Sequence, residues 1–352
     1  MPRPNTSAPT KRQQGVLAAI VTEYVRTGQP VGSRTTREQH GITASSATIR
    51  NEMVALTELG LISQPHTSAG RVPTDVGYRY FVEHLMDTEP LDLRETAWIK
   101  GEFRRNTERE QQIDVLREGA RLLSSLMQAP AVVMSPRAPE QKLQHFVASP
   151  VSSRNVLLVY VTSDGEVENR LVELPEAVTS RQLERMSEVV NARFVGAEVG
   201  ALTRVDAEVL LREMGDQAVP RAVVEAIRRG LEHEQQHDVY IDGAIYVIQD
   251  PEFSRATELQ RVVEALYERT LIRRMLRPLA AESTVCIRIG EEHPMAAASC
   301  FGVVATTYTG AAGARGVVAA VGSRRMPYWR AVPAVTCVAE ELSEHLGPRA
   351  ER

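Results

Sequence analysis

Polar side chains suited to nucleic-acid edges crowd into a short stretch around position 50. The stretch reads SSATIRN, from Ser45 to Asn51. An asparagine amide can form two hydrogen bonds with an adenine edge, and an arginine can pair with guanine or contact a phosphate. A helix that begins at the serines would turn its free N–H groups toward a phosphate. These residue types predict recognition of a nucleic-acid duplex, with Thr48, Arg50 and Asn51 reading the bases.

A helix must hold these side chains on one side, and the apolar spacing predicts that helix. Ile49, Met53 and Leu56 recur at i, i+4 and i+7, which places them on one face. Ser45 is a suitable N-cap, and Gly60 lies where a C-terminal glycine is expected. The opposite face is small and polar, as a helix entering a major groove about 12 Å wide requires. That face carries Ala47, Thr48 and Asn51, with Arg50 on its flank.

A hairpin of small residues follows this helix. Its turn, residues 67–70, reads TSAG and has little bulk, so its backbone can approach a phosphate ribbon closely. His66 and Arg71 flank the turn and can reach a phosphate or the minor groove. Taken alone, the hairpin is compatible with an ordinary surface turn, but behind a polar-faced helix it favours a DNA contact. We expect the DNA backbone to be held by Arg34, Ser45, Ser46, His66, Ser68 and Arg71.

The order of elements around that helix is typical of a winged helix-turn-helix. Apolar spacing predicts helices over 10–27, 34–40 and 74–86, in addition to the helix that begins at Ser45. A strand, a tight turn and a second strand are expected between the helix that begins at Ser45 and the helix at 74–86. We therefore assign residues 10–88 to a winged-helix DNA-binding domain and residues 1–9 to a disordered tail.

The remaining chain alternates between helical and strand patterns, so the expected fold class is α+β with several domains. A long charged helix is predicted over 93–127, with a break near Gly101. Further helices and strands are predicted as follows: a strand pair at 155–174, helices at 179–194, 206–234 and 254–276, three short strands within 284–322, and a helix at 328–346.

The charge distribution and the composition indicate which kind of partner the protein binds and in which compartment it works. The first 86 residues hold nine Lys and Arg against six acidic residues, a balance of +3 in a chain whose net charge is −4. A basic end on an acidic body is compatible with a polyanionic partner. The three cysteines are widely spaced and predict buried thiols in a reducing compartment. The longest uncharged run, 295–314, is too polar to cross a membrane, so we expect a cytoplasmic, nucleoid-associated protein without a membrane contact.

Several longer motifs resemble those of the HrcA family of bacterial heat-inducible transcription repressors. The densest is a 41-residue block from Ser46 to Met86, preceded by TGQPVGSRT. QDPEF, GEEHP and RMPY continue the resemblance toward the C-terminus. The resemblance therefore covers nearly the whole chain.

The resemblance implies a particular architecture and activity. It implies a GAF-like α/β domain, placed here at 89–205 plus 278–347, with the strands at 155–174 and 284–322 as the two halves of its sheet. A dimerising domain would be inserted at 206–277. It also implies a homodimer that binds CIRCE, an inverted-repeat operator, in double-stranded DNA and represses heat-shock chaperone operons. The GroE chaperonin would keep the repressor active, and heat stress would abolish that activity.

The amphipathic segment within 254–276 supplies candidate dimer contacts. Its apolar residues Leu259, Val262, Val263 and Leu266 share one helical face, and Leu271 extends it. The same residues would serve equally well as core within one subunit, so both interpretations stay open.

Two other functions deserve comparison with DNA binding. HEQQH, from His233 to His237, has the spacing of a zinc peptidase motif, with Glu234 as general base and Glu258 as a third ligand. The surrounding residues are polar on every side, whereas a catalytic zinc helix is normally buried, so a solvated helix end is favoured. A GAF-like sheet could also sense a small molecule, but the sequence contains no charged pocket motif. We assign no metal, no cofactor and no enzymatic activity.

Overall fold

The computed structural model describes most of the chain and divides it into two compact units. The first unit combines residues 1–137 with 239–352, and the second spans 138–238. The described residues are 8–66, 69–107, 112–137, 142–163, 167–174, 176–197, 239–295 and 298–347. Ser68 and the HEQQH motif lie outside them.

The first unit begins with a winged helix-turn-helix, as predicted. Its elements are α1 (Lys11–Thr27), α2 (Ser33–Gln39), α3 (Ser46–Glu58), β1 (Ile62–Ser63), β2 (Val72–Pro73) and α4 (Asp75–His84). A capping box between Thr10 and Gln13 starts α1. Gly28 ends it with φ at +68°, a left-handed conformation that glycine adopts without strain.

The chain then contributes two helices and a strand before it leaves the first unit. These are α5 (Leu93–Thr107), α6 (Gln112–Met127) and β3 (Ala131–Arg137). The expected break near Gly101 is wrong, because α5 runs through that glycine to Thr107. The sequence pattern did not predict β3, which follows Pro130 and contains Pro136. Proline usually argues against a central strand, because it lacks a backbone donor.

The second unit is a small layered structure built around an antiparallel sheet. Its described elements are β4 (Leu143–Pro150), β5 (Asn155–Thr162), β6 (Val167–Glu173) and α7 (Ser180–Phe194). Helix α7 packs its apolar side on one face of the sheet. The Asn191 side chain accepts a hydrogen bond from Phe146 N at 2.8 Å and donates one to Phe146 O at 2.7 Å, which fixes the helix on β4.

After residue 238 the chain completes a larger sheet in the first unit. The elements are β7 (Val239–Asp242), α8 (Tyr246–Gln249), α9 (Ala256–Tyr267), α10 (Arg269–Leu276), β8 (Cys286–Ile289), β9 (Phe301–Thr309), β10 (Arg315–Ser323) and α11 (Tyr328–Leu346). The strand order is β7-β3-β10-β9-β8, and neighbouring strands are antiparallel. The three C-terminal strands and the last helix were predicted correctly.

Apolar residues on both faces of this sheet are buried. Val133, Val304 and Val318 lie in one core with α6 and α11. Val303 and Val317, which point to the other face, lie in a second core with α9 and α10. When a sheet is buried on both faces, the sequence of each strand is a nearly continuous run of apolar residues, as it is in β9 and β10.

The strand grouping corrects one expectation. The strands at 155–174 do not share a sheet with those at 284–322, because they form the separate sheet of the second unit. Strand β3 pairs with β10 instead, and β7 pairs with the other side of β3. Residues 239–277, expected within an inserted domain, therefore pack in the first unit. The remainder of that expected domain, 206–238, lies outside the described residues.

The candidate dimer residues also differ from expectation. Val262 and Leu266 are each 1% exposed and belong to the core beneath the large sheet, so they have no surface left for a second subunit. Leu259 and Val263 are half-buried, and a dimer contact there stays a prediction. The predicted single helix is in fact two, because Glu268 separates α9 from α10 with ψ at 86°. No helix in the described ranges is long and apolar enough to span a membrane.

Substituting Leu266 tests its assignment to the subunit core. We expect Leu266→Ala to lower the free energy of unfolding by about 2–5 kcal/mol, because it leaves a cavity under the sheet. Tyr267→Ala, at a neighbouring position that is 72% exposed, is the matched control and should change it by less than about 0.5 kcal/mol. Urea unfolding would measure both variants. Equal, small losses would contradict the burial.

Candidate nucleic-acid interface

Helices α2 and α3 are held together by a hydrogen bond near the start of each helix. The Ser33 and Ser46 hydroxyls lie 3.0 Å apart. Buried Thr36 donates its hydroxyl proton to Gly32 O at 3.0 Å, which satisfies the hydroxyl inside α2. Ser46, predicted to contact DNA backbone, therefore has a structural partner as well.

Ser45 begins α3 as its N-cap, as the sequence indicates. Its Oγ accepts a hydrogen bond from Thr48 N at 3.1 Å, and the two hydroxyl oxygens lie 2.9 Å apart. This bond satisfies one of the backbone donors that a helix start leaves free. Thr48 is half-buried beside the cap, whereas Ser45 itself is exposed.

The predicted division of α3 into two faces is observed. Ile49 and Leu56 are 0% exposed and Met53 is 4% exposed, and all three lie in the core that includes α1. The residues exposed on the helix are Ala47, Arg50, Asn51 and Val54 among the first three turns. In the described part of the chain, Arg50 has no ion-pair partner within 4.0 Å. The arginine and the asparagine are thus presented together to solvent.

Val54 is a candidate contact that sequence reasoning missed. It is 45% exposed and lies three residues after Asn51, on the same side of α3. Apolar side chains in a major groove contact the thymine methyl group. The i+3 and i+4 spacing from Asn51 and Arg50 was the available signal, but an apolar residue in a helix is usually assigned to the core.

The wing, which is the hairpin formed by β1 and β2, is fixed to the segment that precedes α2. Val31 and Arg71 form an isolated antiparallel bridge, with N-to-O distances of 2.8 and 2.9 Å. Gly70 makes this approach possible, since a Cβ there would lie 2.5 Å from the carbonyl atoms of Val31. The wing and the start of α2 therefore form one backbone platform beside α3.

The side chains predicted on the wing differ in exposure. His66 is exposed, and its carbonyl accepts a hydrogen bond from Ala69 N at 2.8 Å across the turn. Arg71 is half-buried, and its Nε is buried without a hydrogen-bond partner among the described residues. Arg71 therefore extends from the base of the wing, at the bridge to Val31, while His66 lies toward the tip.

Arg34 is presented on the surface of α2. Its side chain is 84% exposed, and its Nε donates to Glu38 Oε1 at 3.0 Å. An exposed pair of this kind contributes only about 0–1 kcal/mol, so a phosphate can replace the carboxylate. On α3, the Glu52 Oε1 atom lies 3.6 Å from Nη1 of Arg12 on α1. The acidic groups near the candidate interface are thereby at least partly neutralised by arginines.

The alternative chemistries find little support in the described residues. No group of three or more His, Cys, Asp or Glu side chains there has the arrangement of a metal site. A cavity of about 270 Å³ lies in the first unit, lined by residues such as Val25, Met127, Phe253 and Arg325. Small-molecule sites are usually about 300–1,000 Å³, so this cavity is small for an effector.

Two family models together match most of the chain. The model of the winged helix-turn-helix DNA-binding domain of the transcription repressor HrcA matches residues 9–86. The model of the HrcA protein C-terminal domain matches residues 113–332. The chain belongs to the HrcA family. The winged helix described above is accordingly the DNA-binding domain of a transcription repressor, and the peptidase alternative is set aside because the family is not enzymatic.

Proteins of similar length support the same assignment. The heat-inducible transcription repressor HrcA of Moorella thermoacetica is 35% identical over 340 residues, which cover 96% of this chain and 97% of that protein. The HrcA repressor of Symbiobacterium thermophilum is 34% identical over 335 residues, covering 95% and 97%. A crystal structure at 2.2 Å, described as a hypothetical protein, has a TM-score of 0.54 and 24% identity, covering 96% of this chain and 98% of that one, and shows a shared fold.

The backbone contact at Gly70 can be tested by adding a single methyl group. We expect Gly70→Ala to lower the free energy of unfolding by about 1–3 kcal/mol, since the new Cβ overlaps the Val31 carbonyl. Gly15→Ala is the matched control, because a Cβ on that exposed α1 glycine meets nothing within 4 Å. It should be neutral or stabilising by up to about 1 kcal/mol. A thermal melt of the two variants would measure the difference, and equal stabilities would contradict the close approach.

Proposed function

We propose that this repressor binds the inverted-repeat operator CIRCE as a homodimer and thereby represses heat-shock chaperone operons. The observation that carries the proposal is the exposure of Arg50 and Asn51 on α3, opposite a fully buried apolar face. A helix fixed in this way can enter a major groove with hydrogen-bonding side chains toward the base edges.

The residues of α3 divide into two roles in this proposal. Thr48, Arg50 and Asn51 read bases, and Val54 adds an apolar contact to a thymine methyl. Among these, Asn51 offers the most specific contact, because its amide can bond an adenine edge in two places. Thr48 lies beside the helix cap, so its hydroxyl is shared with Ser45 and reads fewer base atoms.

A second set of residues holds the DNA backbone and carries no sequence information. The exposed Arg34 guanidinium, the start of α3 and the wing supply donors to phosphate. The residues proposed for this role are Arg34, Ser45, Ser46, His66, Ser68 and Arg71. The platform joining Val31 to Arg71 supports it by keeping the wing beside α2.

A homodimer is supported by an apolar face in the second unit. The side of its sheet turned away from α7 carries three apolar cross-strand pairs: Val147 with Val159, Val161 with Val167, and Leu157 with Leu171. Val167 and Leu171 are 60% and 66% exposed. An antiparallel sheet whose outer face meets water normally alternates with polar residues, so this face favours burial by a second copy. Two-fold pairing of the sheets would match the symmetry of an inverted repeat.

Regulation and cellular location rest on the family resemblance. We propose that the GroE chaperonin maintains the repressor in its active form, and that heat stress, by occupying the chaperonin, ends repression. Because its operator lies on chromosomal DNA, the protein would work in the cytoplasm in association with the nucleoid.

Substitutions at Asn51 and Arg71 separate base reading from backbone binding. Asn51→Ala should cost about 1–3 kcal/mol per half-site on the operator and little on scrambled DNA. Arg71→Ala should weaken both DNAs alike and reduce the salt slope by about 1. Fluorescence anisotropy at several salt concentrations, after a footprint on chaperone promoters, would measure these effects.

A matched arginine outside the interface serves as control for this experiment. Arg94 is exposed in α5, and Arg94→Ala should leave affinity and salt slope unchanged. If Asn51→Ala bound operator and scrambled DNA as the unaltered protein does, α3 would not be the reading helix.

The dimer proposal predicts the effect of a charge on the outer sheet face. Leu171→Glu should convert dimer to monomer, because an unpaired carboxylate would be buried between the two sheets. Val195→Glu is the matched control, since Val195 is 51% exposed but follows α7 and lies off that face. Sedimentation velocity would measure the mass, and a Leu171→Glu dimer of unchanged stability would eliminate this surface.

A further inference from the structure

Three sequence motifs that take no part in the proposed DNA contact meet at one place in the first unit. QDPEF covers 249–253, GEEHP covers 290–294 and RMPY covers 325–328. Hydrogen bonds join their residues to α1 and α4 of the winged helix. We call the resulting set of contacts the junction.

Arg79 of α4 forms a forked contact with the edge of the large sheet. Its Nε donates to Glu292 Oε1 at 2.6 Å, and its Nη2 donates to Glu292 Oε2 and to Ile287 O, the latter at 2.7 Å. Glu292 also accepts from Ile289 N at 2.8 Å. The hydrogen bond to Glu292 raises the pKa of Arg79. Forked arginine–carboxylate pairs fix orientation as well as distance, so α4 is held at a set angle to β8.

Asp75, in the first turn of α4, makes a second contact with two different segments. It accepts from Arg324 Nη1 at 3.1 Å and from Glu291 N at 3.1 Å. Gly290 has φ at +55°, and a Cβ there would lie 1.9 Å from Asp75 Oδ2. A glycine is required at this position because the backbone comes directly against the carboxylate.

Arg325 fastens the end of α1. Its Nη1 donates to Val25 O at 2.7 Å, and its Nη2 donates to Asp250 Oδ1 at 3.0 Å. The arginine side chain is 12% exposed. Val25 O is among the last carbonyls of α1, where a cation is favoured by the helix dipole. This contact therefore joins the C-terminal end of α1 to two of the three motifs.

Aromatic contacts complete the junction. Tyr78 meets Tyr328 edge-to-face with ring centroids 6.1 Å apart, and Phe81 meets Trp329 in the same way at 6.0 Å. Burial raises the pKa of Tyr78 well above its ordinary value, as expected for a phenol enclosed between α4 and the body of the first unit. Both α1 and α4 are thus held by directional contacts, so the winged helix cannot rotate freely on the rest of the unit.

We infer that Asp75, Arg79 and Arg325 are positioning residues that fix the orientation of the winged helix on the first unit, and that this fixed orientation restricts which half-site spacing the repressor accepts. This inference rests on the proposed function, a homodimer that reads an inverted repeat. A second half-site adds about 10²–10⁴ to affinity only when the geometry permits both to be occupied together. A rigid junction makes that gain depend on spacing, whereas a loose junction allows each winged helix to reach its half-site separately.

Two junction variants test the inference through independent contacts. The first is Asp75→Asn with Glu292→Gln, which removes the charge from both acceptors around α4. The second is Arg325→Lys, which keeps the charge but replaces the two nitrogens that bond Val25 and Asp250 with a single ammonium group. The matched control is Glu102→Gln with Glu118→Gln, which removes two carboxylates that pair with Arg121 away from the junction.

Each full-length protein would be titrated with a duplex holding one half-site, with its footprinted operator, and with that operator lengthened by about five base pairs. That insertion is roughly half a helical turn and places the half-sites on opposite faces of the DNA. The unaltered protein and the control should lose at least about 100-fold in affinity on the lengthened operator. Both junction variants should lose less than about 10-fold on lengthening, while binding the single half-site within about two-fold of the unaltered protein.

The outcomes distinguish the inference from the proposed function. The inference would be overturned if the junction variants lost as much affinity on the lengthened operator as the unaltered protein does. It would also be overturned if the variants bound the single half-site and the operator more weakly than the unaltered protein by the same factor. If the unaltered protein bound the half-site but ignored spacing, homodimeric reading of an inverted repeat would fail, and the inference with it.

Discussion

The burial of one side of α3 is the constraint on which the remaining structure of the interface depends. Ile49, Met53 and Leu56 are enclosed in the core shared with α1, so the rotation of α3 about its own axis is fixed. Arg50 and Asn51 are consequently forced outward together. Apolar burial is non-directional, but a helix has only one rotation that hides three residues at this spacing. The polar face is therefore a consequence of packing on its opposite side.

The rotation of a recognition helix about its axis does not fix its position. The contacts among α2, α3 and the wing fix that position. The bridge between Val31 and Arg71 holds the wing next to α2, and Gly70 allows the two chains to meet. The Ser33–Ser46 hydrogen bond ties the start of α2 to the start of α3. These contacts involve small residues and main-chain atoms, which leave room for a DNA backbone beside them.

The remainder of the first unit does more than support the winged helix, because its polar side chains bond to α1 and α4. The large sheet is covered on both faces by helices, which makes it a rigid base. Strand β8 is at the edge of the sheet among the described strands, and Arg79 donates a hydrogen bond there to the Ile287 carbonyl, which attaches α4 to the sheet. An uncovered sheet edge is normally a liability, and here the winged helix covers part of it.

The sequence by itself determined the elements whose signals are local. The winged helix, the N-cap at Ser45, the two faces of α3 and the last helix all follow from caps, glycines and apolar spacing, which act over a few residues. Tertiary structure alone decided which strands share a sheet, because β3 and β7 are paired with each other across a hundred residues of chain. It also decided that Val262 and Leu266 are core, since an apolar helical face looks the same whether its own subunit or a second one covers it. The junction was likewise beyond sequence reasoning, because opposite charges far apart in a chain carry no indication of being neighbours in space.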